Sequence, residues 1–116
     1  MTEYTEGYVF EPGTGKWNKM TGSFPVMAGT AIPYGEDKIL ILGGVEEILP
    51  TSPKHPGFSR KLRVVSTDMN ALVALFDCSY PIPVTTNAVS IGNQVFVVSG
   101  EIQPGIRTPL ILKGTF

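Results

Sequence analysis

Between Tyr8 and Pro25 the chain reads YVFEPGTGKW…MTGSFP, and between Val64 and Pro81 it reads VVSTDMNALV…FDCSYP. The offset is constant: Tyr8 falls on Val64, Trp17 on Val73, Met20 on Phe76, Phe24 on Tyr80 and Pro25 on Pro81. The next stretch, AGTAIPYGEDKILILGG, recurs as TTNAVSIGNQVFVVSG with one residue lost in a hairpin, so Ile39, Ile41 and Gly44 fall on Val95, Val97 and Gly100. A period of about fifty residues marks an array of like supersecondary units, each burying its apolar faces against its neighbours.

One unit reads as strand, turn, strand, proline-marked crossing, strand, hairpin, strand, glycine. The chain shows no helical periodicity, and its 13 Gly and 10 Pro interrupt every long run, so no helix is expected. Nine strands are predicted: Gly7–Glu11, Lys16–Met20, Met27–Pro33, Lys38–Leu42, Lys61–Thr67, Leu72–Asp77, Thr86–Ser90, Gln94–Ser99 and Pro109–Lys113. Pro12-Gly13-Thr14-Gly15, Gly35-Glu36-Asp37, Asp68-Met69-Asn70 and Gly92-Asn93 supply compact turns between them. Ile39–Leu42 and Val95–Val98 are continuously apolar, as strands packed on both faces are.

The aromatic run before an acidic-Pro turn, the outer-strand Trp17, the crossing Pro25 and the Gly43-Gly44 strand end resemble a kelch repeat. The second unit departs from it, with Val73 for the Trp and Ser99-Gly100 for the double Gly. The resemblance implies an all-β, kelch-like β-propeller fragment of about two four-stranded blades, to be completed by oligomerisation or by a longer chain. On that reading residues 1–25 end one blade, 26–81 form a full blade with an inserted loop at 45–60, and 82–116 form most of a further blade. Propellers have about four to eight blades, so an isolated piece of this size leaves sheet faces and edges open. Self-association is therefore expected, as a homotrimer or another ring-closing oligomer.

A net charge of −1 gives no electrostatic reason to expect nucleic acid or an anionic membrane as partner. No apolar run approaches the ~20 residues of a membrane helix, and MTEYTEGYVF does not read as a signal peptide. The single Cys78 reads as a small packing residue at an outer-strand end. No metal or cofactor is implied, because the lone His55 has no ligand set at suitable spacing. Pro50, Pro53 and Pro56 around His55 predict a stiff, exposed loop; their P-x-x-P spacing is a weak peptide-ligand pattern. Gly43-Gly44 lacks the helix and the Lys-Ser/Thr of a phosphate loop and reads as a strand-ending turn.

The stretch Gly100-Glu101-Ile102-Gln103-Pro104-Gly105-Ile106-Arg107-Thr108 places a carboxylate and a guanidinium on either side of a Pro-Gly turn, after a glycine-ended strand. From the residues alone it is either a pocket pair at the mouth of the channel or a surface salt bridge across a turn. GEIQPGIRT resembles the GE-x-x-PG-x-RT stretch of bacterial N-acetylneuraminate epimerases (sialic acid mutarotases), six-bladed kelch propellers with a cyclically permuted branch. That resemblance implies Glu101 and Arg107 as the catalytic pair, with Glu101 as acid and base and Arg107 as clamp on a sugar acid's carboxylate. Thr108 and Glu46 are the further substrate-binding candidates; Glu46 and Glu47 follow the equivalent strand end, where solvated loop charges are the alternative. Val45 is the strict counterpart of Glu101. Carrying over the family's compartment would make the protein periplasmic. The alternative function is a non-catalytic kelch module for protein interaction or carbohydrate binding.

Overall fold

The computed structural model describes residues 3–49 and 55–115, and none of these is helical. Pro50 and Pro53, and with them the P-x-x-P spacing, lie outside the described residues. The strands are β1 (Tyr8–Glu11), β2 (Lys16–Lys19), β3 (Thr30–Tyr34), β4 (Lys38–Leu42), β5 (Lys61–Ser66), β6 (Ala71–Asp77), β7 (Ala88–Ile91), β8 (Gln94–Gln103) and β9 (Ile106–Thr115). They form three antiparallel sheets in chain order: β1-β2, β3-β4-β5-β6 and β7-β8-β9. This is a kelch-like propeller fragment, with one complete four-stranded blade between two partial ones.

All nine predicted strands are present, and the differences lie at their ends. β3 and β7 begin about three and two residues late, because Ala28 and Thr85 take left-handed backbone conformations, φ 55° and 57°. The two residues are repeat equivalents, so both units bend at the same place. The opposite correction applies to β8, which does not stop at Ser99. The ladder shifts register at Ser99 (φ 60°), resumes with Gly100 opposite Thr108 and runs on to Gln103. The segment read as a loop after the strand is therefore the tip of the β8–β9 hairpin, turning on Pro104-Gly105.

β3 and β7 make the contact between the two larger sheets, which identifies them as the strands nearest the axis. Thr30 Oγ1 ties them by donating to the Thr86 carbonyl at 2.9 Å. The core fills the seam between these sheets. Leu40 and Leu42 on β4, Ile32 on β3 and Val64 on β5 meet Val95 and Val97 on β8 and the crossing residue Ile82. Each fully buried aliphatic side chain of this kind contributes about 1.5–3 kcal/mol. Cys78 packs against this cluster, half-buried, and burial with the neighbouring Asp77 raises its thiol pKa.

The Val45–Arg60 insertion corrects a second expectation. It is not exposed throughout: His55 and Ser59 are buried, His55 at 6 % exposure. The imidazole Nδ1 accepts from Gly57 N at 3.0 Å and the ring stands edge-on to Phe58 at 5.5 Å. Phe58 N donates to the Ile102 carbonyl at 2.8 Å, docking the end of the insertion on the β8–β9 hairpin. Where the insertion joining β4 to β5 lies against the next blade, its backbone polar groups must be satisfied, and that requirement holds the segment inward.

Candidate functional site

The strand ends after Gly44 and after Gly100 are built alike. Met27 and Val45 exchange backbone hydrogen bonds at 2.8 and 2.7 Å, as Val84 and Glu101 do at 2.8 and 2.9 Å. Val45 is therefore the structural counterpart of Glu101, as the repeat predicts. The closeness of this crossing demands glycine. A Cβ on Gly100 would lie 2.7 Å from Pro83 Cβ and from the Val84 carbonyl oxygen, and one on Gly44 would lie 2.7 Å from Val26 Cγ1.

Glu101 and Arg107 are direct cross-strand partners in the β8–β9 ladder. Their charged groups do not pair with each other. Glu101 Oε1 accepts from Gly105 N at 2.6 Å, which closes the hairpin, and Arg107 Nη1 donates to Thr85 Oγ1 at 3.3 Å. Of the two alternatives read from the residues alone, the salt bridge across the turn is not formed: each group has its own separate partner, and Glu101 Oε2 takes no hydrogen bond among the described residues. Glu101 is half-buried and Arg107 exposed.

Arg107 thereby reaches the edge of an open cleft between the inner strands, lined by Ala28, Gly29, Thr30, Thr85, Thr86 and Asn87, with a volume of about 400 Å³. Thr85 was not among the sequence candidates. Its signal is its place in the repeat opposite Ala28, since a non-glycine residue at positive φ stores strain and such residues concentrate at functional sites.

Thr108, one residue beyond Arg107, turns to the opposite side of β9 and is buried at 5 % exposure. Its hydroxyl accepts from Leu110 N at 3.2 Å and from Tyr80 Oη at a long 3.4 Å. Glu46 lies in a different setting again. Its Oε1 accepts from Arg63 Nη2 at 2.7 Å and from Ser59 Oγ at 2.8 Å. Burial raises the Glu46 carboxyl pKa, but the hydrogen bonds from Arg63 and Ser59 and the charges of Arg63 and Lys61 outweigh it and hold the group below its ordinary value. Arg63 itself is buried at 5 % exposure, and its Nη1 has no hydrogen-bond partner among the described residues. Sequence reading missed Arg63; the available signal was a lone charge inside the apolar run of β5. Beside this pair a polar cavity of about 340 Å³ is lined by Glu47, His55, Arg60 and Lys61 among others. Glu47 takes no part in either hydrogen-bonded cluster. No group of three or more metal-ligating side chains occurs among the described residues.

Comparison with known proteins bears on the fold. No family model matches the sequence, and no curated protein matches it. Among solved structures, that of YjhT superposes with a TM-score of 0.78 at 17 % identity, covering 97 % of this chain. The match takes in 41 % of the YjhT chain, so this chain spans less than half the length of the structure it resembles.

Proposed function

We propose that the chain is part of a propeller that exchanges the anomers of a sugar acid, in the manner of the sialic acid mutarotases its GEIQPGIRT segment resembles. The observation that carries the reading is the cross-strand placement of Glu101 and Arg107 at the hairpin tip, with the guanidinium on Thr85 at the cleft. Anomer exchange removes the proton from the anomeric hydroxyl, breaks the ring C–O bond with protonation of the ring oxygen, and re-closes on the other face. One carboxylate serves both transfers, as base and then as acid. Glu101 suits this role because its Oε1 is fixed by Gly105 N–H while Oε2 is free to meet substrate. Arg107 suits a planar carboxylate through the two parallel donors of its guanidinium. Thr108, buried on the opposite side of β9, and Glu46, held by Arg63 and Ser59, stand apart from this pair and carry no substrate contact in this reading.

NMR exchange spectroscopy on N-acetylneuraminate, with the assembled protein, tests the assignment. Glu101→Gln is expected to lower the exchange rate by about a hundredfold or more, and Arg107→Met to act mainly on KM. An unchanged rate in Glu101→Gln sinks the mechanism. The second reading, a non-catalytic kelch module, draws on the exposed aromatic pair Phe10 and Trp17, whose rings stand 4.8 Å apart on the outer hairpin. Binding of the sugar without any exchange selects it.

A further inference from the structure

The two repeat units share one backbone before their inner strands, and only one of them carries chemistry on it. In the first, Met27 and Val45 exchange backbone hydrogen bonds and Ala28 follows at φ 55°. In the second, Val84 and Glu101 do so and Thr85 follows at φ 57°. Alanine therefore makes this bend as well as threonine does, and the unit that lacks the carboxylate also lacks the hydroxyl. A left-handed conformation is uncommon for alanine and an outlier for a β-branched residue such as threonine. Thr85 thus holds the bend under more strain than the backbone requires. What it brings is a hydroxyl, and that hydroxyl accepts from Arg107 Nη1 at 3.3 Å.

The pairing of the strands gives this contact its place. Val84 and Arg107 are the neighbours of Glu101 on its two edges. A guanidinium that reaches from Arg107 to Thr85 extends across the Glu101 position, beside the cleft that Thr85 lines. Arg107 is exposed and makes no other hydrogen bond among the described residues. A long side chain left unheld gives up rotamer freedom when it closes on a ligand. With Nη1 on Thr85, the edge formed by Nε and Nη2 is left for two parallel hydrogen bonds to a carboxylate. We infer that Thr85 is a positioning residue, whose hydroxyl pre-sets the Arg107 guanidinium for a carboxylate ligand at the cleft. The identity of that ligand rests on the mutarotase reading.

Anomer exchange of N-acetylneuraminate, followed over a range of concentrations with the protein as it exists, tests the role. Thr85→Ala keeps the bend, as Ala28 does, and removes the hydroxyl. It is expected to raise KM about fivefold with kcat little changed, as the loss of one hydrogen bond to bound substrate's clamp does. Thr85→Ser restores the oxygen and is expected to return KM to within about twofold of the wild type. In an Arg107→Met background Thr85→Ala is expected to add nothing, because the two residues act as one unit. The urea midpoint of Thr85→Ala is expected to hold or rise as strain is relieved, where a merely structural threonine would lower it. An unchanged KM in Thr85→Ala, a full effect remaining in the Arg107→Met background, or a serine that does not rescue overturns the role of Thr85, and exchange by the wild type then leaves the mutarotase reading standing. A wild type that exchanges no anomers removes that reading, and the clamp with it.

Discussion

The strand ends at Gly43–Glu46 and Ser99–Ile102 share a backbone but not a chemistry. Gly43 and Ser99 both sit near φ 60°, Gly44 and Gly100 near or above 100°, and the same crossing bridge follows each. The carboxylate is displaced by one residue between them, second after the glycine in one and first in the other. In an extended chain one residue is a change of face. Glu46 therefore turns onto Arg63 and Ser59 and is locked, while Glu101 turns to the hairpin tip with one oxygen free. The difference teaches that a carboxylate at a propeller mouth is structural or chemical according to which side of the strand it leaves.

The largest effect is expected where both ends depend on the same close crossing. Gly100→Ala places a Cβ against Pro83 and the Val84 carbonyl in a conformation unfavourable for any side chain. It is expected to cost about 2–4 kcal/mol, read as a lowered urea midpoint with unchanged slope. A loss near zero would mean that the two crossings are not equally tight.

The next prediction separates the two carboxylates. Glu46→Ala leaves the Arg63 guanidinium buried and unpaired and is expected to cost about 3 kcal/mol, at the low end for a buried pair because the Glu46 side chain is 35 % exposed. Glu101→Gln is expected to stay within about 0.5 kcal/mol. Acid sharpens the contrast. The Glu46 pKa is depressed in the folded chain, so its stabilisation is fully present above its ordinary value of 4.5 and is lost as pH falls through the lower folded value. Denaturation midpoints followed downward from about pH 6 are expected to fall less steeply below that value in Glu46→Gln than in the wild type. Equal slopes would remove Glu46 as the locked member of the pair.

The smallest effect concerns the residue before each crossing glycine. Ser99 holds a left-handed conformation that Gly43 holds at no steric cost in the other unit. Ser99→Gly is expected to stabilise the chain by about 0.5 kcal/mol, the relief of strain less the extra chain entropy of glycine. A rise of a degree or more in Tm checks it; a fall would show that the serine hydroxyl contributes at this position.

Much of this was legible in the residues because it is local. The turn at Gly92-Asn93 and the apolar run Val95–Val98 state their conformations within a few positions, and two copies of one pattern fixed the unit. The Val45–Glu101 equivalence was legible for the same reason. What escaped was what depends on neighbours. GEIQPGIRT carries Pro and Gly and reads as a loop, yet pairing with β9 extends β8 past the register shift between Val98 and Gly100. His55 and its prolines read as solvent-facing, yet docking of Phe58 on Ile102 draws the imidazole under cover.

By itself, the sequence determined the strands, the turns, the period and the positions where only glycine fits, because these follow from backbone sterics and from alternation along one strand. The tertiary structure alone decided that Arg63 is buried against Glu46 and that Arg107 reaches Thr85 rather than Glu101. Those outcomes depend on which sheet lies beside which, and a side chain's partner across a seam is set by the packing of segments far apart in the chain.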